Sequence, residues 1–334
     1  MKFDEFIEEV KKKASLRYPK MEVSVREIVK NNGLLLHGFT MTDKSESTFI
    51  SPTLYMEDFF NRFEKNGELD HSDFENVTER IFSVYDDALS SVGIHSNIPD
   101  MLKNTEYLRS NSYMTIVNKK LNEELLKDCP HRDFYDLAII YRVHVGFDSD
   151  SVGSVLIKNK FLEYMGMSEE ELYHVAYKNT KELFGSSVLS MRDVLRKMMG
   201  NSSFPLEEYD YIMPMYVISN STNVNGAVNM LYDENLATIS QKVGGDLIVL
   251  PSSVHEVICV PASMNIPNEM RSMVCDVNDS QIAPDERLSD NIYMYDAERH
   301  LLSDEATYNK NHSDKVSDEV DNEKIFTHNS VRHR

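Results

Sequence analysis

Two short apolar runs separated by a polar link limit most strongly what this chain can fold into. The runs are Leu247 to Leu250 and Val257 to Val260, and Pro251 opens the link between them. Short apolar runs bounded by Gly and Pro are typical of buried elements. Residues 243–262 therefore predict a helix stop at Gly244, a strand and a Pro-Ser-Ser turn, and the second run is compatible with a strand or a single helical turn.

Strand signals and helix signals occur in separate runs along the chain. Glu22 to Val29 and Leu34 to Phe39 flank an Asn-Asn-Gly sequence, which predicts a hairpin because these residues accept the positive φ of a tight turn. Asp136 to Val145 is a dense β-branched run that predicts a central strand, and Gly226 to Tyr232 predicts another strand. We therefore predict an α+β fold with antiparallel strands in both halves and helices packed around them.

Helix boundaries are marked by side chains that can satisfy free backbone groups. Ser151 to Met165 predicts a helix that Gly166 ends. Ser168 and Glu171 form a capping box, which predicts that the next helix starts here.

The length of 334 residues allows one large domain or two closely joined ones. We predict an N-terminal α+β portion over residues 1–130 and a C-terminal α+β portion over residues 131–302. Residues 303–334 are polar and charged with few core-forming side chains, so they predict a disordered tail.

Charge and cysteine content exclude several classes of protein. The 55 Asp and Glu outnumber the 35 Lys and Arg, and a net charge of −20 repels nucleic acid and anionic lipid, so we expect neither partner. Cys129, Cys259 and Cys275 are far apart and form no C-x-x-C pair, which fits a reducing compartment. No run is apolar and long enough for a signal peptide or a membrane span, so we expect a cytoplasmic protein.

The candidate chemistry lies in the polar link and just after it. His255, Glu256 and Cys259 read H-E-x-x-C, similar to the zinc-hydrolase H-E-x-x-H, in which ligands one helical turn apart bind the metal. Cys is an atypical second ligand, and spacing identifies no third. The favoured interpretation is that His255 and Glu256 hydrogen-bond each other or nearby backbone, while Ser252 and Ser253 cap the following turn.

Other signatures of enzymes are missing from the sequence. It contains no phosphate-binding loop, no G-x-G-x-x-G fingerprint and no G-x-S-x-G elbow, so we expect no cofactor and no serine nucleophile. No calcium-binding loop with ligand spacing is present either, and we expect no metal. Methionines are numerous and are either core fillers or members of an adaptable binding surface, with candidates at Met191, Met198, Met199, Met213 and Met215.

Several segments together resemble an uncharacterised family, a domain of unknown function found in gut-dwelling anaerobic Gram-positive bacteria. They are DLAIIYRVHV, ELYHVAYKNTKELF, GAVNMLY, DLIVLPSSVHEVICVP and ERLSDNIYMYD, and LPSSVHEV, Leu250 to Val257, is the most specific. The resemblance covers nearly the whole chain except the tail. It implies a bacterial cytoplasmic setting and names no catalytic residue.

The sequence favours a non-enzymatic binding or interaction module with a protein partner. An acidic composition without a complete catalytic signature motivates this prediction. The alternatives are a metal-dependent hydrolase that uses His255 and Glu256, and a defence or counter-defence factor associated with mobile elements.

Overall fold

The strands pair antiparallel wherever the structure gives their register. The chain splits into two compact units, Met1–Asn111 with His144–Val155 and Ser112–Val143 with Leu156–Arg334. The division of the chain into two portions after residue 130 stays a prediction, because these compact units do not show which parts of the chain fold separately. The computed structural model describes residues 1–43, 52–64, 71–92, 98–148, 151–199, 214–264 and 267–313.

The first unit combines helices with a three-stranded antiparallel sheet. The predicted hairpin is confirmed, and its turn contains Asn32 and Gly33 with φ of 59° and 69°, a region that Asn and Gly accept. The elements are α1 (Phe3–Arg17), β1 (Met21–Val29), β2 (Leu35–Asp43), β3 (Leu54–Tyr55), α2 (Met56–Glu64), α3 (His71–Val92), α4 (Ile98–Met101) and α5 (Thr105–Asn111). The sheet order is β1-β2-β3.

The core of this unit lies between α1, the sheet and α3. Phe6, Val10 and Ala14 of α1 are fully buried, and their spacing of four residues places them on one face of the helix. They belong to a cluster with Phe39, Met41, Met56, Phe74, Ile81, Phe82 and Tyr85.

The elements from residue 112 onward form two further sheets with their helices. They are β4 (Ser112–Asn118), α6 (Glu123–Leu126), β5 (His131–Phe134), β6 (Leu137–Asp148), β7 (Ser151–Leu156), α7 (Asn159–Met165), α8 (Glu169–Phe184), β8 (Ser187–Ser190), α9 (Met191–Met199), β9 (Tyr216–Ser219), α10 (Asp233–Val243), β10 (Leu247–Leu250), β11 (Val257–Pro261), α11 (Pro267–Gln281), β12 (Tyr293–Asp296), β13 (Leu301–Asp304) and α12 over residues 305–313. Short 3₁₀ helices occupy Asn31–Gly33, Gly226–Leu231 and Ala262–Met264.

The smaller of these sheets has four strands. Strand β6 pairs with β4, β5 and β7, which confirms the prediction of a central strand over Asp136 to Val145. The α+β fold with antiparallel strands is therefore confirmed in both halves.

The larger sheet has six strands in the order β13-β12-β10-β11-β9-β8. On one of its faces, Ile248 and Val260 pack in a buried cluster with Val274 of α11. Val249 and Cys259, which are paired in register, are the next residues along and therefore point to the opposite face.

One element prediction is wrong, a second is wrong only in its first half, and the predicted helix boundaries at Gly166 and Ser168 are confirmed. Gly226–Leu231 is a 3₁₀ helix where a strand was predicted, and Ser151–Leu156 is strand β7 where a helix was predicted. The capping box at Ser168 is confirmed, because its hydroxyl accepts from the Glu171 N–H at 3.2 Å and the Glu171 carboxylate accepts from the Ser168 N–H at 2.8 Å.

The predicted tail lies only partly within the described residues. Ser303 and Asp304 end β13, and residues 305–313 form α12, whose Tyr308 packs against the core cluster that contains Ile248. The rest of the predicted tail, residues 314–334, lies outside the described residues. Among the helices in the described ranges, none has the length and apolar character that crossing a membrane requires.

Candidate functional site

The polar link between β10 and β11 is held by its backbone. The Val254 N–H donates to the Glu286 carbonyl at 2.8 Å, the Leu288 N–H donates to the Ser252 carbonyl at 3.0 Å, and Ser253 forms an isolated bridge with Arg287. The link therefore runs antiparallel to residues 286–289 although it belongs to no regular strand. This pairing determines the position of the backbone at His255 and Glu256, which directly follow it in the chain.

His255 is held by hydrogen bonds of its own surroundings. Its N–H donates to the Ser253 hydroxyl at 3.0 Å, which is the serine-stabilised turn that the sequence predicts. Its ring Nδ1 accepts from the Asn225 N–H at 3.2 Å, and its Nε2 lies 3.3 Å from the Glu286 carboxylate. Because Nδ1 is an acceptor here, the neutral ring carries its proton on Nε2, facing Glu286.

The H-E-x-x-C sequence does not lie on a helix. Val257–Pro261 is strand β11, so Cys259 and His255 are not one helical turn apart. The Cys259 side chain is completely buried, and burial raises the pKa of its thiol. In the residues that the structure describes, no three His, Cys, Asp or Glu side chains are grouped so that they could hold a metal ion.

A 3₁₀ helix packs tightly against the link. The Ala227 N–H donates to the Val254 carbonyl at 3.1 Å. A Cβ added to Gly226 would lie 2.3 Å from the Ser219 hydroxyl and 2.6 Å from the His255 carbonyl. Asn225, with φ of 53°, turns the chain into this contact.

Glu256 has a different environment from its neighbour, because it lines a groove of about 750 Å³. The groove lies along β8, β9 and β11, with α9 as one wall. Leu189 is paired with Val217, and Val217 with Ile258, so these three side chains form an apolar floor. The other lining residues are Ser186, Ser187, Met191, Val194, Lys197, Ser219, Asn220, Ser221 and Asn223.

Half of the polar side chains along the groove are already satisfied within the protein. Each donates to a nearby acceptor: Ser186 to the Asn229 carboxamide at 2.9 Å, Ser219 to the His255 carbonyl at 2.8 Å, Asn220 to the Val224 carbonyl at 2.8 Å and Ser221 to the Phe184 carbonyl at 2.7 Å. These side chains shape the groove, and their donor groups are already used within the protein.

Four polar side chains along the groove remain. Within the part of the chain that the structure describes, Glu256, Ser187, Asn223 and Lys197 make no side-chain hydrogen bond or ion pair. Burial raises the pKa of Glu256, the nearby Glu286 raises it further, and His255 opposes both. The groove thus combines an apolar floor with a partly desolvated carboxylate that has no hydrogen-bond or ion-pair partner among the described residues.

A second polar cluster lies at the start of α10. The Tyr295 hydroxyl donates to the Asp233 carboxylate at 2.6 Å, and Nδ1 of His300 lies 3.0 Å from the same carboxylate. Two cavities adjoin this cluster, one of about 180 Å³ and one of about 450 Å³ that Tyr295 and His300 also line. Only the larger is within the range of about 300–1,000 Å³ typical of ligand pockets. Because these side chains satisfy each other, the groove beside Glu256 is the stronger candidate.

The sequence located only part of this site. Glu256 lines the groove, whereas His255, Ser252, Ser253 and Cys259 do not. Of the methionines suggested for a binding surface, Met191 lines the groove and Met215 packs against the core cluster. Met198 and Met199 are the last two residues of α9, and Met213 lies outside the described residues. The strand residues of the floor were missed, because their convergence depends on pairing between segments that are distant in sequence.

The fold and the groove define an antiparallel α+β protein with a partly apolar groove at one side of its larger sheet. The chain belongs to the family of unknown function DUF5688, whose match covers residues 3–297. No curated protein and no solved structure matches the chain.

Proposed function

We propose that this chain is a non-enzymatic protein-binding module and that the groove takes an extended segment of a partner. The observation that carries the proposal is the groove of about 750 Å³ beside β8, which is within the size range of ligand sites. Among the described residues β8 is the outer strand of its sheet. An extended segment lying in the groove beside this strand can use its backbone and side chains for contacts, and the pockets between the lining side chains then select residues of the segment.

The two alternative functions have less support. A metal-dependent hydrolase would use His255 and Glu256 together, but only Glu256 lines the groove and the His255 ring contacts Asn225 and Glu286. No observation favours the mobile-element defence factor, which stays a prediction.

A cytoplasmic setting is part of the same proposal. It is supported by the three cysteines, Cys129, Cys259 and Cys275, all of which are free thiols. Structural disulfides are rare in reducing compartments, where free cysteines are the rule.

Selection from a random peptide library on the immobilised protein tests the binding function. We expect enrichment of related peptides by the wild-type protein. A Val194→Arg variant, which places a charged side chain in the groove wall, should lose this enrichment by about tenfold or more, since a desolvated unpaired charge opposes binding.

Met273→Arg is the matched control, because Met273 is 47% exposed and does not line the groove. It should keep the enrichment. Circular dichroism checks that both variants are folded. Absence of enriched peptides, or equal enrichment by Val194→Arg, would contradict the proposed function.

A further inference from the structure

We infer that the groove recognises a lysine or arginine of its partner, paired with Glu256, and an apolar residue two positions away on the floor of Leu189, Val217 and Ile258. This inference rests on the proposed function and names the chemistry of the partner at that site.

Of the two charged side chains that line the groove, Glu256 is the partly buried one and Lys197 is exposed. Glu256 makes no hydrogen bond or ion pair with the described residues. A carboxylate that is partly withdrawn from water without a partner is unfavourable, and a cationic donor relieves this cost. A neutral apolar ligand would instead bury the carboxylate further.

The spacing of the recognised residues follows from the strands. Glu256 directly precedes β11, and Ile258 is two residues further along. Residues two apart in an extended chain lie on the same face, about 6–7 Å apart. An extended partner that lies in the groove, over the sheet face that carries Glu256 and Ile258, therefore presents a basic residue to Glu256 and, two positions away, an apolar residue to the floor.

Lys197 offers the opposite charge, but in a different environment. It lies on the same face of α9 as Met191 and Val194, which are spaced by three residues, and it is exposed. The charge of an exposed ammonium is screened by water and salt, whereas that of a partly desolvated carboxylate is screened less. The net charge of −20 also attracts cationic partners over anionic ones.

Recognition through Glu256 also predicts a pH dependence. The pKa of Glu256 is raised by its burial, so it protonates at a higher pH than an ordinary glutamate does. The other titratable groups near it are His255, Glu286 and, across the groove, Lys197. Affinity for a lysine peptide should therefore fall as the pH is lowered through the Glu256 pKa, because only the ionised carboxylate pairs with the cation.

Matched peptides test the inference directly. The probes are acetyl-Ser-Leu-Ser-Lys-Ser-amide and the reversed order Ser-Lys-Ser-Leu-Ser, each with lysine, Nε-acetyl-lysine or glutamate at the basic position, titrated by NMR. We expect the better lysine peptide to bind wild-type protein about tenfold more tightly than its acetyl-lysine form, as a charge-assisted contact allows.

Two variants assign the preference to one carboxylate. Glu256→Gln keeps the shape of a side chain that forms no hydrogen bond with the described residues, so the variant should fold and bind the lysine and acetyl-lysine peptides equally. Glu286→Gln removes a neighbouring acid that does not line the groove, and it should keep the preference for lysine.

The outcomes separate this inference from the proposed function. Equal binding of the lysine and acetyl-lysine peptides, with both lost in Val194→Arg, overturns the role of Glu256 and leaves the binding module standing. Tightest binding of the glutamate peptide also overturns it and points to Lys197. Failure of every probe, together with an empty library selection, overturns both.

Discussion

Gly226 determines how closely the 3₁₀ helix approaches the link that carries Glu256. Its Cα faces two fixed backbone groups, the His255 carbonyl and the Asn220 N–H, at distances that leave no room for a Cβ. Only glycine fits this position, so the geometry of the candidate site depends on one missing side chain.

Replacing Gly226 with alanine should therefore destabilise the protein. The added Cβ would lie 2.6 Å from the His255 carbonyl and 2.7 Å from the Asn220 nitrogen, and overpacking of this kind costs about 1–3 kcal/mol. Urea unfolding measures the loss. Gly245→Ala is the control, since nothing lies within 4 Å of its added Cβ, and equal stability of the two variants would show that the contact is not tight.

Ser168 caps α8 through the reciprocal bonds with Glu171. A Ser168→Ala variant should lose about 1 kcal/mol of unfolding free energy, because one backbone N–H of the first turn loses its acceptor. Ser280→Ala changes an exposed serine that bonds only to the Asp276 carbonyl within α11, and it should stay within about 0.5 kcal/mol of the wild type. A loss no larger than this control in thermal or urea unfolding would argue against the cap.

Features of single residues were readable from the sequence where neighbours in the chain determine them. The Asn-Asn-Gly turn and the Ser168 cap are examples, because donor, acceptor and backbone angle lie within a few residues. The sequence did not predict that the His255 ring accepts a hydrogen bond within the protein while Glu256 lines the groove. This difference depends on Asn225, which approaches from another segment.

Among the elements, β11 shows why a motif match needs its structural context. Its β-branched residues pair with β10 on one side and β9 on the other, so the run from Val257 is a central strand rather than a turn of helix. The strand puts Cys259 inside the protein.

Native alkylation should distinguish the thiols of these elements. Burial raises the pKa of the Cys259 thiol. Burial and nearby acids also raise the pKa of Cys275, but Cys275 is only partly buried on α11. Iodoacetamide at pH 8 should therefore label Cys275 first and reach Cys259 only after unfolding, because a buried neutral thiol is a poor and inaccessible nucleophile. Mass spectrometry follows each site, and equal labelling rates would contradict a buried central strand.

The turn between β12 and β13 depends on Asp296. Its carboxylate accepts from the N–H groups of Glu298 and Arg299 and from the Arg299 guanidinium at 2.7 Å. Burial by itself raises the pKa of Asp296, but the hydrogen bonds and charge of Arg299 outweigh it and hold the pKa below its usual value.

Asp296→Asn should consequently lower stability in a pH-dependent way. A depressed folded-state pKa contributes stability above the unfolded pKa of about 3.9, and this contribution is lost as the pH falls through the folded-state pKa. We expect a loss of about 1–2 kcal/mol at pH 7 that becomes smaller as the pH is lowered below the unfolded pKa. Asp276→Asn makes the same charge change at an exposed site, and matching profiles of the two variants in urea unfolding would contradict the role of Asp296.

The elements that the sequence predicted wrongly are those decided by tertiary contacts. Apart from Asn229, Gly226–Leu231 is apolar, so its pattern cannot distinguish a strand from a buried helix. Its amide contact with Val254 and the fully buried Asn229, which bonds the Gly226 carbonyl, favour the 3₁₀ helix. Strand β7 likewise gains its hydrogen bonds only from β6.

At the scale of the whole molecule, the net charge of −20 acts on any partner that approaches. Charged surfaces accelerate the encounter of opposite charges, and salt screens this effect over about 10 Å at 0.1 M ionic strength. The sequence therefore predicted the sign of the long-range field. It could not predict the groove, because strands separated by up to about seventy residues of chain build it.

The association rate of the lysine peptide should fall as salt increases, while its dissociation rate changes little. Stopped-flow fluorescence of a labelled peptide between about 20 and 300 mM salt measures both, and the screening length shortens about threefold to fourfold over that range. The acetyl-lysine peptide serves as control and should show a flatter dependence. A dissociation rate that carries most of the salt effect would contradict long-range attraction.

The backbone pairing of residues 251–254 with 286–289 has a consequence for how this family can diversify. Because main-chain atoms hold the link, side chains at positions such as Ser252 can be exchanged without displacing Glu256. A relative with the same backbone pairing can therefore keep this scaffold while the side chains around the carboxylate change, which separates the evolution of the surface from that of the architecture.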